Sequence, residues 1–130
     1  MIYGGDYVAS VKLSCSTIYK RADGIIVFAP VKSHFTLDEI KAQLNGFLEI
    51  QKGEVSPLLV LPGKLQKLED EQKKFMNANI SRFASKLCIL TNNPLPTFIF
   101  NIIFYLTPPP IPSRVLKTES EAIAWLKKDL

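Results

Sequence analysis

A chain of 130 residues, 47% hydrophobic and 22% charged, is long enough to bury one core without disulfide staples, and no segment has a disordered composition. Its net charge of +4 comes from basic residues scattered between Lys12 and Lys128, with no aromatic ladder or reader motif, which argues against a nucleic-acid footprint. The densest group, Lys64, Lys67, Lys73, Lys74, Arg82 and Lys86, is interleaved with Glu69, Asp70 and Glu71, the pattern of a solvated helix face.

Residues 1–6 lack the basic start and apolar run of a secretory signal, so a cytoplasmic location is expected. Residues 7–17 alternate in part through Val8, Val11, Leu13 and Cys15, and residues 24–31 are mostly apolar. Asp23-Gly24 between them suits the positive φ of a tight turn, which predicts an N-terminal antiparallel β-hairpin. Thr36 and Glu39 have capping-box spacing, and Asp38 and Glu39 lie near the positive end of the helix they open. Leu37, Ile40, Leu44, Phe47 and Leu48 follow at helical spacing, and Gly53 suits the stop.

Residues 57–61 form a short, wholly apolar run, the pattern of a buried parallel strand. A helix over 68–83 would place Leu68, Phe75, Met76, Ile80 and Phe83 on one side, and residues 86–91 read as another short strand. Asn93-Pro94 then offers an N-cap and a first-turn proline for a helix over 95–106, which ends before Pro108-Pro109-Pro110. Residues 113–117 make the last strand. Thr118 and Glu121 form a second capping box, opening a helix with Ala122, Ile123 and Leu126 inward and Trp125 flanking them. This alternation predicts an α/β fold of one domain over residues 1–130, with a mostly parallel sheet, right-handed crossovers and helices mainly over one face.

In that order of elements the chain resembles the STAS/SpoIIAA-like family, in particular its small uncharacterised bacterial members. The resemblance is most specific where Leu90-Thr91-Asn92-Asn93-Pro94-Leu95 leads into an aromatic-rich helix, and where Glu119-Ser120-Glu121-Ala122-Ile123-Ala124-Trp125-Leu126 follows Pro112-Ser113-Arg114-Val115-Leu116. It implies an N-terminal hairpin continuing into βα units, with about five strands and about four helices. Anti-sigma factor antagonists of that superfamily carry a phosphorylatable serine just after the third strand. Here no hydroxyl occurs between Leu58 and Asn79, and the matching positions near Leu68 include the acidic Glu69 and Asp70. Fixed charge is available there, but not the switch that phosphate supplies.

No catalytic or metal-binding constellation can be assembled, and no cofactor is expected. Cys15 and Cys88 lack metal spacing and read as buried free thiols. His34, the one histidine, reads as a loop residue; its neighbour Ser33 is not set in a nucleophile elbow. Gly63-Lys64 lacks the earlier glycine and the following Ser or Thr of a P-loop. The carboxylate pairs Asp38/Glu39 and Glu119/Glu121 are explained by capping and the helix dipole.

The segment 95–106 is the exception to a plain reading. Leu95, Phe98, Ile99, Ile102, Ile103 and Leu106 would form its inward stripe, yet Phe100, Phe104 and Tyr105 lie on other faces and only Thr97 and Asn101 are polar. At about twelve residues it is too short to span a bilayer, which needs about twenty. It must instead be covered by the domain's own core, a second subunit or protein partner, a lipid-like ligand or a membrane surface. Phe100, Ile103, Phe104 and Tyr105 are the predicted contact residues. The expected function is a non-enzymatic regulatory or scaffolding module acting through protein–protein contact or as a homodimer. The alternative is a carrier or sensor of a small apolar ligand, held between this helix and the sheet.

Overall fold

The computed structural model describes residues 7–32, 34–61, 69–91 and 109–128. Among them one sheet has six strands in sequence order: β1 (Tyr7–Lys12), β2 (Ser16–Arg21), β3 (Ile26–Pro30), β4 (Ser56–Val60), β5 (Ala84–Leu90) and β6 (Ser113–Leu116). Strands β1 to β3 form an antiparallel meander, and the three later pairings are parallel. The described helices are α1 (Leu37–Gln51), α2 (Asp70–Asn79), which runs into a 3₁₀ turn at Ile80–Arg82, and α3 (Glu119–Lys127). The α/β class is as expected, but the sheet is mixed and has one strand more than the five anticipated. The predicted helix over 95–106 and its Asn93-Pro94 start lie outside the described residues, as do Ser33, Leu68 and Gly63-Lys64.

The additional strand arises because residues 7–17 are not one strand. Leu13 N–H donates to the Ser16 carbonyl at 2.8 Å, closing a tight turn that splits the segment into β1 and β2. The sequence carries a trace of this: Val8 is out of phase with Val11, Leu13 and Cys15. A register shift between Tyr7 and Ala9 places Val8 at an irregularity, where it is exposed. The predicted Asp-Gly turn does join β2 to β3. Gly24 there has φ +91°, a conformation most side chains avoid, and Asp23 Oδ1 accepts from the Ile25 N–H.

The predicted capping box opens α1. Thr36 Oγ1 accepts from Glu39 N–H at 3.1 Å, and Glu39 Oε1 accepts from Thr36 N–H at 2.9 Å. The helix ends where Lys52 turns left-handed at φ 50°. Gly46 lets α1 approach the meander closely, since a Cβ there would meet Ile18 Cδ1 at 3.0 Å. This contact seats α1 over β1 and β2. At α3 the box differs from the expected form: Thr118 Oγ1 accepts from Glu121 N–H but donates to the Glu121 carboxylate at 2.9 Å.

Strand alternation sends Ile26, Phe28, Leu58, Val60 and Leu87 to the α1–α2 side, and Val27, Leu59 and Cys88 to the α3 side. Ile25, Val27, Leu59, Cys88, Ala122 and Leu126 on the α3 side are all 0% exposed. The C-terminal end of α3 is also tied down. The Arg21 guanidinium donates to both Asp23 oxygens at 3.1 and 2.9 Å, and Lys127 lies 3.3 Å from the same carboxylate. At the same end, Lys86 Nζ donates to the carbonyls of Trp125 and Lys128 while lying 4.9 Å from the Trp125 ring centre. Helices therefore cover both faces of the sheet.

Candidate functional site

The opposite side is built differently, and the difference starts at α2. This helix packs chiefly against α1 and its own 3₁₀ extension. Its one buried residue is Gln72, and Met76, expected inward, is 38% exposed. Hydrogen bonds hold the start of the helix instead of an apolar stripe: Gln72 Nε2 donates to the Phe35 carbonyl at 2.7 Å, and its Oε1 accepts from Glu69 N–H at 3.0 Å.

Beneath α2 lies a cavity of about 170 Å³, partly open to solvent. Its floor is Phe28 of β3, Leu58 and Val60 of β4, and Leu87 and Ile89 of β5. Ile40, Gln43, Leu44 and Phe47 of α1 form one wall. Phe75, Met76 and Asn79 of α2, with Ile80 and Phe83 beyond it, form the other, and Phe35 completes the lining. The buried floor and wall residues keep a trace of solvent access that the buried residues on the α3 side lack: 9% at Phe28, 7% at Phe47 and Ile80, 6% at Phe83 and 3% at Leu58.

Four of the five phenylalanines form a connected wall. Phe35 meets Phe28 edge-on at 6.4 Å, Phe28 meets Phe47 at 5.7 Å, and Phe47 stacks on Phe83 at 4.2 Å. The two polar lining residues are engaged within the protein. Gln43 Nε2 donates to Cys15 Sγ at 3.5 Å. Asn79 donates to the Phe75 carbonyl at 2.8 Å and accepts from Arg82 at 3.1 Å. Lys41 Nζ lies 6.0 Å from the Phe75 ring centre on an exposed side chain, and it is not part of the lining.

Other residues singled out in the sequence do not converge on a reaction centre. His34 is exposed in the connection before α1, and Cys15 and Cys88 are buried on opposite sides of the sheet. Burial pushes the Cys88 thiol up to about 11, against the lowering influence of the Leu116 backbone hydrogen bond and the Arg114 charge. Glu39 is held below its ordinary range by its hydrogen bonds with Lys32 and Thr36, as a capping residue should be. Among the described residues no group of three or more His, Cys, Asp and Glu side chains could hold a metal ion. No described helix is long and apolar enough to cross a membrane. Phe100, Ile103, Phe104 and Tyr105 lie outside the described residues.

Among the described residues, fold and cavity together define an α/β domain with one tightly packed sheet face and one hollow one. Residues 19–129 match a family described as a domain of unknown function (DUF7793), and the chain belongs to that family. The matched span includes every residue that lines the cavity. No curated protein and no solved structure matches the chain.

Proposed function

We propose that this domain is a non-enzymatic binding module that takes a small apolar ligand into the cavity beneath α2. The cavity itself carries the reading. An enclosed empty apolar void of that volume would cost about 4 kcal/mol at about 24 cal/mol per Å³. Partial opening to solvent lowers the figure, yet it stays a sizeable part of the roughly 5–15 kcal/mol that holds a domain folded. A ligand would recover that loss by restoring the missing contacts.

The absence of chemistry from the proposal rests on the groups around the site. Among the described residues the cavity is lined by apolar side chains and two engaged amides, and the buried Cys88 thiol on the other face is kept protonated. Occupancy would draw α2 towards the sheet and alter the α1–α2 surface. The regulatory role through protein contact that the STAS/SpoIIAA-like resemblance implies would then respond to ligand rather than to phosphate, in keeping with the hydroxyl-free stretch from Leu58 to Asn79. Kinship with that family is part of the proposal, supported by the βα alternation from β3 to β5.

Native mass spectrometry of the protein purified from cells tests the reading. A retained small apolar mass is expected in the wild type and should be lost in Leu44→Trp, which fills the cavity from α1. An unliganded mass in both, with no uptake of added hydrocarbon, would contradict it.

A further inference from the structure

We propose that the ligand is an uncharged, compact aromatic molecule of one or two rings; this deepens the preceding reading and rests on it. The volume of about 170 Å³ is slightly larger than the roughly 150 Å³ apolar cavity known to accept benzene. Shape agrees with size. The wall running from Phe35 through Phe28 and Phe47 to Phe83 offers both ring edges and ring faces, and Phe75 adds a fifth ring from α2. Aromatic guests gain from such edge-to-face and offset arrangements beyond the area they bury, whereas a saturated ring of equal size gains only the area.

Charge is excluded by what the lining lacks. Among the described residues no Lys, Arg, His, Asp or Glu lines the cavity, both ends of Asn79 are engaged, and the Gln43 amide donates to Cys15. An anionic guest would lose its hydration without gaining a partner inside. The nearby cation, Lys41, is an exposed side chain beside the rim-forming Phe75, so it could meet a carboxylate only if the charged end stayed outside.

The test is a titration of the full chain, followed through the methyl NMR signals of Leu44, Leu58, Val60, Leu87 and Ile89. The probes are toluene, indole, methylcyclohexane, benzoate and hexanoate. Toluene and indole should shift these signals, with toluene at least ~5-fold tighter than methylcyclohexane and at least ~100-fold tighter than benzoate. Methylcyclohexane binding as tightly as toluene, or either anion binding as tightly, would overturn the aromatic, uncharged assignment while leaving an apolar binding module intact. No shift with any probe would remove that reading as well. Leu44→Trp, or Leu87→Phe should the first variant not fold, must weaken toluene binding; unchanged affinity in a folded variant would place the ligand elsewhere and overturn the proposal.

Discussion

Strands β3, β4 and β5 supply both faces of the sheet, yet the two faces end up in different states. Towards α3, Val27, Leu59 and Cys88 meet Ala122 and Leu126 with no solvent access. Towards α1 and α2, Phe28 and Leu58 look into an apolar space. Side-chain size explains part of this, because Ala122 and Cys88 let α3 close on the sheet, whereas phenylalanine rings on the other side are too rigid to fold into a gap. Attachment explains the rest. α3 is pinned at its C-terminal end, by Asp23 and by Lys86, while the start of α2 hangs from Gln72 and the Phe35 carbonyl. A helix anchored through side-chain hydrogen bonds at its start can stand over a hollow without losing its position.

The largest expected effect separates two neighbours on one strand. Leu59→Ala on the sealed face should cost about 4 kcal/mol, and Leu58→Ala on the hollow face about 2 kcal/mol, within the range of such truncations. Leu58 already lacks contact atoms on its cavity side, so it has fewer to lose. Urea unfolding of the two variants measures the difference, and equal losses would mean that the faces are packed alike.

A smaller effect concerns the thiol on the sealed face. With its pKa near 11, Cys88 has roughly a thousandth of its population ionised at pH 8, so labelling should run at least ~100-fold slower than at a free thiol. Rapid labelling of folded protein would show that α3 does not seal its side.

The smallest separates the two modes of helix attachment. Burial opposes ionisation of Asp23, but hydrogen bonds from Arg21, the Ile25 N–H and Lys127, with the charge of Arg21, hold its carboxyl below the ordinary 3.8. A depressed folded pKa means that the stabilisation is present above the unfolded value and is lost as pH falls through the folded one. Asp23→Asn should therefore cost about 1–2 kcal/mol at neutral pH, a modest figure for a pair that is partly solvated. The gap between wild type and variant should close below about pH 4. A gap independent of pH would mean that the carboxylate charge does not hold α3.

Much of this architecture was legible in the sequence because local chemistry decides it. Thr36 with Glu39 marks the start of α1, Asp23-Gly24 marks the β2–β3 turn, and the apolar run ending at Leu61 reads as a buried strand. The tight turn at Leu13 to Cys15 was less visible, since its signal was only the phase of Val8. The cavity was not legible at all. Phe28, Phe35, Phe47, Phe75 and Phe83 come from five separate places, and each alone reads as ordinary core. The void depends on how far α2 stands from the sheet, which is a property of their joint packing. An apolar ligand was anticipated against residues 95–106, which lie outside the described structure, and not between α1 and α2.

Equilibrium urea unfolding of wild type and Leu44→Trp, each with and without toluene, tests the hollow face most directly. A ligand that binds only the folded state adds about 2.7 kcal/mol at a hundredfold excess over Kd, and filling a cavity adds about 0.5–2 kcal/mol. The prediction is a stability gain with toluene in the wild type, with Leu44→Trp more stable without ligand and indifferent to it. An equal response of both proteins to toluene, or a destabilised Leu44→Trp beside an unresponsive wild type, would contradict the account.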